Sequence, residues 1–237
     1  MRNSNSDLLA KAMWDFYKGE ERATLKVTTD ISLPEDMLAS YFFRGYDEMN
    51  EMERLALDRC QGRVLDIGAG AGCHSLYLLK KGIEVTSLET SGPMSELLKE
   101  RGLEKVVHAS WQDFVPDLRY DHILLLMNGL GMAERFKDLP SMLIELSSWL
   151  SEGGEVLLDS SDIGDLYVLE DGSRMTDLGG SHEGEIIYTV TYKGESVSFP
   201  WLFVTKDELT AICEDMGLEM TILSEMEDSF LASVKGL

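Results

Sequence analysis

A carboxylate followed by alternating glycines marks the stretch Gly62–Gly72 as a place where a ligand could bind. Asp66 precedes Gly68, Gly70 and Gly72 at close spacing. Glycines permit positive φ angles and let a ligand approach the main chain, and a helix that starts after such a turn offers unpaired N–H groups. The segment is therefore predicted to cradle a nucleotide-like ligand, and the surrounding residues indicate which one.

Two ligands are compatible with a glycine turn of this kind. A dinucleotide-binding turn has the spacing Gly-x-Gly-x-x-Gly with the helix dipole facing a pyrophosphate, but here Cys73 stands where the third glycine would fall. Asp66 would repel a pyrophosphate and attract an ammonium or sulfonium group. The charge favours a cationic ligand; an ordinary tight turn without a ligand is the alternative.

The segment Val64-Leu-Asp-Ile-Gly-Ala-Gly-Ala-Gly72 resembles motif I of the class I S-adenosylmethionine-dependent methyltransferases. The resemblance covers residues 62–162 closely and 205–235 by architecture. It implies a three-layer Rossmann-like α/β sandwich with a mostly parallel seven-stranded sheet, strand order 3-2-1-4-5-7-6 and the last strand antiparallel. It also implies S-adenosylmethionine as cofactor. The residues that would hold its methionine end are Asp66, Gly68, Ala69, Gly70 and Gly72.

Glu89 ends the second predicted strand, 23 positions after Asp66. This is close to the offset of about 20 residues at which an acid binds ribose hydroxyls. Two acceptor oxygens suit two adjacent hydroxyls. Thr90 and Met94 open the following helix. The resemblance places Met94 beside the adenine, although apolar packing is the simpler interpretation.

The loop after the third predicted strand would enclose adenine if the resemblance holds. Ser110 stands where the family usually has an acid, and Asp113 follows three residues later. Either side chain could accept a hydrogen bond from the adenine amino group. Trp111 could cover the ring or pack on a neighbouring helix.

The fourth predicted strand leads to Met127 and Asn128, and ligands of open α/β sheets bind outside the carboxyl ends of strands. The resemblance places Asn128 beside the methyl donor and the acceptor. Some relatives carry a catalytic Asn-Pro-Pro-Tyr here, but Gly129 and Leu130 follow in this chain. The base- and protein-glutamine methylation of those relatives is therefore not supported. Asn128 is a catalytic candidate, with a simple turn as the alternative.

Asp159 and Asp162 follow the fifth predicted strand and are weaker candidates for orienting an acceptor or acting as a general base. Loops commonly contain such residues, so no residue is assigned as catalytic from the sequence alone.

The elements that position these residues follow from periodicity and from helix and turn signals. Residues 1–60 are predicted to form a helical lid, with helices at 8–17, at about 32–46 and at 49–60. Residues 61–237 are predicted to form the methyltransferase domain, with a further helix at 133–150 and a fifth strand at 155–158. Lid residues that could reach the acceptor by resemblance, or could only pack in the core, are Tyr41, Phe43, Arg44 and Tyr46.

Residues 163–204 are too many for a plain strand-to-helix connection. Within this insertion, 184–199 is predicted to be a hairpin that turns at Lys193-Gly194. The hairpin could cap the acceptor site or pair with a second subunit, which would allow a homodimer.

The net charge and the cysteine content limit which classes of partner the protein could bind. The net charge is −22, from 21 basic and 43 acidic residues. This argues against a nucleic-acid substrate and against anionic membranes, since phosphate binding needs Lys and Arg. The three scattered cysteines predict reduced thiols rather than disulfides or a zinc site, and no metal is expected. The N-terminus lacks an apolar signal core, which favours the cytoplasm.

The sequence thus predicts transfer of a methyl group from S-adenosylmethionine to a small-molecule acceptor by in-line displacement. One alternative is a catalytically silent S-adenosylmethionine-binding regulatory protein. A second, opposed by Asp66 and Cys73, is a nicotinamide-dependent oxidoreductase.

Overall fold

The computed structural model of the protein describes residues 4–168, 171, 173 and 181–236. Residues 1–3, which entered the localisation argument, and residues 169, 170, 172 and 174–180 of the predicted insertion lie outside the described residues. None of the helices within these ranges is long and apolar enough to cross a membrane.

In chain order the helices and strands are α1 (Ser4–Tyr17), β1 (Thr24–Thr29), β2 (Ser32–Leu38), α2 (Glu51–Arg59), β3 (Arg63–Ile67), α3 (Cys73–Lys80), β4 (Glu84–Glu89), α4 (Gly92–Glu100), β5 (Val106–His108), β6 (Tyr120–Leu125), α5 (Leu139–Ser148), β7 (Leu150–Ser161), β8 (Glu185–Tyr192), β9 (Glu195–Leu202), α6 (Lys206–Asp215), β10 (Glu219–Met226) and β11 (Ser229–Lys235). Short 3-10 helices include Ala39–Phe43, Tyr46–Glu48 and Gly129–Ala133; the last is called the β6 turn below.

The main sheet has the order β10-β11-β7-β6-β3-β4-β5. The pairs from β7 to β5 are parallel, and β11 is antiparallel to both of its neighbours. The predicted order 3-2-1-4-5-7-6 is confirmed. The central strands β3 and β6 are almost continuously buried, as expected for parallel strands that are covered on both faces.

Successive side chains along a strand point to opposite faces of the sheet, so they enter different layers of the core. Leu65 and Ile123 pack with residues of α5 and α6, whereas Val64 and Leu124 pack with residues of α2 and α3. This is the predicted three-layer sandwich. It brings the carboxyl ends of β3, β4 and β6 to one edge.

The N-terminal region is not wholly helical: the helices predicted at 8–17 and 49–60 are present as α1 and α2, but the helix predicted at about 32–46 was wrong. The segment Ser32–Leu38 is a strand that pairs antiparallel with β1. Pro34 was interpreted as a helix-start proline. It lies instead in an edge strand, where a residue without an N–H group can be accommodated without losing a hydrogen bond between strands. Residues 39–48 contain two short 3-10 helices instead of an α-helix.

The helix predicted at 133–150 was also too long. Glu134 has a φ of 66°, which an α-helix does not accommodate, and α5 begins only at Leu139 with a proline in its first turn. Strand β7 is longer than the predicted 155–158 and runs through the Gly153-Gly154 pair, where its register with β6 shifts.

A second sheet has the order β2-β1-β8-β9. The hairpin β8–β9 turns at Lys193 and Gly194, both with positive φ, as predicted. Strand β8 also pairs with β1, so the insertion and the N-terminal strands form one unit. Helix α1 packs on this sheet.

Candidate functional site

The glycine turn at residues 68–72 lies between β3 and α3 and is tied to the end of β4. The backbone N–H groups of Gly68 and Ala69 both donate to the carbonyl oxygen of Leu88, at 2.9 and 3.2 Å. Gly72 has a φ of 89°, and a Cβ atom there would lie 2.7 Å from a methyl carbon of Leu98. Conformation and space therefore both require glycine at this position.

Asp66 is buried beneath the glycine turn, with 2% of its surface exposed. Its Oδ2 accepts a hydrogen bond of 2.6 Å from Ser75 Oγ, which is also 2.8 Å from Ser87 Oγ. The carboxylate is thus held in place by α3 and β4. Sequence reasoning missed both serines, because no local pattern links a residue of α3 to one of β4.

Glu89 joins the glycine turn to the start of α4. Its Oε2 accepts from the N–H of Gly70 at 3.0 Å, and its Oε1 accepts from the N–H of Ser91 at 2.9 Å. Burial raises the pKa of the carboxyl, while the N–H donors of Ser91 and Gly70 oppose this effect. Oε2 accepts from Gly70 alone, so its second acceptor site can still receive a hydrogen bond from a ligand hydroxyl.

Helix α1 covers the side of Glu89 that faces α4. Trp14 Nε1 donates to the carbonyl oxygen of Pro93 at 2.9 Å, and Ser91 Oγ donates to Asp7 at 3.1 Å. Met94 is buried in the cluster that contains the apolar residues of α1, so it serves at least as packing. Thr90 lies beside Glu89, with its hydroxyl 3.4 Å from Oε1.

Ser110 and Asp113, the two side chains predicted as alternatives for contacting adenine, are hydrogen-bonded to each other. Ser110 Oγ donates to the Asp113 carboxylate at 2.6 Å, and the Asp113 N–H donates back to Ser110 Oγ at 3.2 Å. Trp111 is half-buried, and its Nε1 donates to the carbonyl oxygen of Met132 at 3.2 Å. The Met132 sulfur in turn lies 3.2 Å from the position of a Cβ atom on Gly68. The Ser110–Asp113 loop, the β6 turn and the glycine turn are therefore contiguous.

The two catalytic candidates, Asn128 and Asp159, contact each other at the exits of β6 and β7. Asp159 accepts hydrogen bonds from the N–H groups of Met127 (3.1 Å) and Asn128 (2.7 Å). Both donors belong to residues with positive φ, 62° and 57°. Burial raises the pKa of Asp159 to about 6, although these N–H groups oppose the shift. Asp159 therefore holds a strained turn in place and remains mostly ionised at neutral pH.

Asn128 is also fixed through its side chain, because its Oδ1 accepts from Ser161 Oγ at 2.9 Å. The weaker candidate Asp162 is exposed and accepts from the N–H of Gly164 in its own loop. The structure brings Asn128 and Asp159 together and leaves Asp162 apart from them.

Arg44, one of the four predicted lid residues, belongs to a buried charged network. Its guanidinium pairs with Glu53 and donates to the Tyr41 carbonyl oxygen at 2.7 Å, and it lies 4.2 Å from the centre of the Tyr41 ring. Glu53 also contacts His74 Nε2 at 2.8 Å. Arg44, Glu53 and His74 are each at least 94% buried.

Protonation follows from these contacts. Burial alone would lower the pKa of His74, but its contacts with Cys73 and Glu53 raise it to about 10. Burial would raise the pKa of Glu53, but the hydrogen bonds with His74 and Arg44 lower it to about 2. The network is fully charged at neutral pH. Sequence reasoning missed Glu53 and His74, because no local pattern links residues of different helices.

The other lid candidates lie in different surroundings. Tyr41 is 44% exposed. The Phe43 ring is 4.5 Å from the Arg101 guanidinium, and Tyr46 stacks on Tyr77 at 4.3 Å. Tyr41 is thus the candidate most open to solvent.

Comparison with known proteins gives consistent results. A family model described as a methyltransferase domain matches residues 43–222. Among solved structures, the S-adenosylmethionine-dependent methyltransferase from Bacteroides fragilis in complex with S-adenosyl-L-homocysteine is 30% identical. That alignment covers 98% of this chain and 95% of the other, with a TM-score of 0.88.

Two curated relatives are more distant or match a shorter part. Cypemycin N-terminal methyltransferase from a Streptomyces species is 24% identical over 179 residues, which span 73% of this chain and 71% of that protein. Glycine/sarcosine N-methyltransferase from Halorhodospira halochloris is 33% identical over 104 residues, 41% of this chain and 39% of that protein.

Proposed function

The chain belongs to the S-adenosylmethionine-dependent methyltransferases, and from this premise we propose that it transfers the methyl group to a small-molecule acceptor. The observation that carries the proposal is Glu89, whose two oxygens accept N–H groups from the glycine turn and from the start of α4. A ligand whose ribose binds Glu89 would lie along the glycine turn with its remaining groups directed toward the exits of β3 and β6.

The proposed cofactor site uses the residues predicted from the sequence. Asp66 and the backbone of residues 68–72 border the methionine end, and Glu89 binds the ribose. The adenine is surrounded by Ser110, Trp111 and Asp113. Residues proposed to line the remaining cofactor surface are Thr90, Met94, Met127 and Asn128.

Arg44 is proposed to serve the cofactor rather than the acceptor. Its Nε atom is buried and has no hydrogen-bond partner among the described residues. Leaving a buried N–H donor without a hydrogen bond is costly. The methionine carboxylate is an anion that could accept this hydrogen bond. Glu53 and His74 would hold the guanidinium in position.

Methyl transfer requires alignment more than acid–base chemistry. A lone pair of the acceptor forms a bond to the methyl carbon while the carbon–sulfur bond breaks and its electron pair stays on sulfur. Holding donor and acceptor in line can supply about 7–11 kcal/mol of the barrier. A base is needed only if the acceptor must lose a proton first, and Asp159, which holds the backbone of Asn128, is the candidate for it.

A small molecule fits the acceptor site better than a nucleic acid. The net charge of −22 disfavours a polyanion, and the two curated relatives are named as an N-terminal methyltransferase and a glycine/sarcosine N-methyltransferase. The homodimer allowed by the sequence stays a prediction: β8 pairs with β1 of the same chain, and β9 forms an edge of the second sheet. Sedimentation at two protein concentrations would test it.

Calorimetry with S-adenosylhomocysteine and with NAD, followed by incubation with labelled S-adenosylmethionine and fractionated cell extract, tests the proposal. We expect binding of S-adenosylhomocysteine but not of NAD, and label in the low-molecular-weight fraction. Label only in protein or nucleic acid would contradict a small-molecule acceptor. Tight binding without any transfer would support the silent regulatory protein instead.

A further inference from the structure

The second sheet presents one face to the rest of the molecule, called the inner face here. Residues paired across neighbouring strands point to the same side. Val27 pairs with Val190, which pairs with Val197, and all three pack in the cluster that contains the apolar residues of α1. This row therefore identifies the side that faces α1.

Three aromatic residues lie on the inner face next to this row of valines. Tyr188 pairs with Phe199, and the next inward position along β9 is Trp201. Their ring centres are 5.9 Å (Tyr188–Phe199), 6.1 Å (Phe199–Trp201) and 6.4 Å (Tyr188–Trp201) apart. All three are only half-buried, so these rings, called the aromatic patch, are partly exposed to solvent.

The aromatic patch borders the proposed methyl-transfer site. Trp201 lies against Gly131 in the β6 turn, which directly follows Asn128. Met132 of the same turn contacts Gly68 of the glycine turn. One short segment therefore separates the hairpin from the cofactor-binding loop, and the patch lies on the acceptor side of it.

The charge around the patch is negative. Glu35 pairs with Val27, so it lies on the inner face, and it is exposed to solvent. Burial and then the charge of Glu35 raise the pKa of Tyr188. Two buried or half-buried cations are engaged elsewhere: Arg44 pairs with Glu53, and Arg101 donates to the Ala71 carbonyl oxygen. A carboxylate or phosphate acceptor would find little compensation here.

We propose that the aromatic patch and Glu35 form the acceptor subsite and that the acceptor is an amine. This rests on the proposed methyl transfer and names its substrate class. The neutral amine nitrogen attacks the methyl carbon, the carbon–sulfur bond breaks with its pair on sulfur, and the positive charge moves from sulfur to nitrogen. A proton of the resulting ammonium is released to water. Aromatic faces and a carboxylate stabilise the charge where it arrives.

Cation recognition can be measured without activity. Choline resembles a fully methylated product, and 3,3-dimethylbutan-1-ol is its neutral isostere; both are titrated by calorimetry into protein saturated with S-adenosylhomocysteine. We expect choline to bind at least about tenfold more tightly than the isostere. Glu35→Gln and Phe199→Leu should each weaken choline binding by about 2- to 30-fold.

Matched controls lie on the outer face of the same strands. Asp36→Asn, next to Glu35, and Ile187→Ala, next to Tyr188, should leave choline binding unchanged. Equal affinity for choline and its isostere, or loss in Asp36→Asn as large as in Glu35→Gln, would overturn the proposal. Because Glu35 is exposed, Glu35→Gln still decides the question if Phe199→Leu fails to fold.

A second measurement separates this proposal from the one on which it rests. Labelled S-adenosylmethionine is incubated with benzylamine, N-methylbenzylamine and benzyl alcohol. Label on the amines but not on the alcohol supports the amine subsite. If S-adenosylhomocysteine binds and label enters only the alcohol, the amine subsite is wrong while methyl transfer stands. If S-adenosylhomocysteine does not bind, methyl transfer itself has failed and the amine subsite with it.

Discussion

The indole of Trp201 lies directly against Gly131, so that a Cβ atom at residue 131 would be 2.0 Å from Trp201 Nε1. Trp201 belongs to the inserted hairpin, whereas Gly131 belongs to the turn that follows Asn128. The absence of a side chain at one residue lets the insertion pack on the turn. The insertion is therefore part of the wall beside the site.

Gly131→Ala should displace the hairpin, because a rigid indole cannot move aside as a flexible chain end could. We expect kcat/KM for the acceptor to fall by about tenfold or more, in line with the sensitivity of transfer to misplacement. The affinity for S-adenosylhomocysteine should change little. Gly236→Ala is the control, since the nearest atom to a Cβ there is 3.7 Å away. An unchanged kcat/KM in Gly131→Ala would show that the hairpin does not shape the acceptor site.

Glu89→Ala should weaken S-adenosylhomocysteine binding by about 1–3 kcal/mol, measured by calorimetry. It also leaves the N–H groups of Gly70 and Ser91 without their acceptor, so the free energy of unfolding should fall as well. Glu84→Gln is the control at the other end of β4, where the side chain is exposed and pairs with Lys105. Normal affinity in folded Glu89→Ala would mean that the ribose lies elsewhere.

Asp159→Asn should change how stability depends on pH. The folded pKa of about 6 lies above the ordinary 3.8, so the folded protein binds this proton more readily. Its contribution therefore makes the free energy of unfolding fall as pH rises from 3.8 to 6. The variant should lose this contribution. The free energy of unfolding of the wild type should therefore fall more steeply with pH than that of the variant, by at most about 1.4 kcal/mol per pH unit. Chemical denaturation across this range, with Asp162→Asn as control, provides the measurement; identical slopes in wild type and Asp159→Asn would contradict the assignment.

Glu53→Gln should destabilise the protein by about 3–5 kcal/mol, because it leaves the buried charges of Arg44 and His74 without a counter-charge. Glu225→Gln, which breaks the exposed pair with Lys206 at 2.7 Å, should cost far less, because solvent screens this pair. Both are measured by denaturant unfolding at pH 7. Equal losses would show that Glu53 is not buried as described.

The same network predicts alkaline sensitivity. The pKa of His74 is raised from 6.5 to about 10, so the stability contributed by its imidazolium is fully present below pH 6.5 and is lost as pH rises toward 10. In His74→Gln this decline should be absent. A wild-type stability that does not decrease across this range relative to His74→Gln would refute the contact.

The sequence by itself determined the features that depend on local pattern. The hairpin turn at Lys193-Gly194 and the glycine turn were predicted correctly. Apolar runs, positive-φ glycines and helix caps act within a few residues, so they can be identified without the fold. The strand order followed from the resemblance around Asp66, and the expected position of Glu89 at a strand end agrees with the structure.

Only the tertiary structure decided the features that join distant segments. Strand β2 looked like a helix start because Pro34 fits a first helical turn, but pairing with β1, which in turn pairs with β8, outweighs that local preference. The contacts of Glu53 with Arg44 and His74, and of Trp201 with Gly131, depend on how helices and sheets pack. Such contacts leave no periodic signal in the sequence, because the two partners are far apart along the chain and meet only when the protein folds.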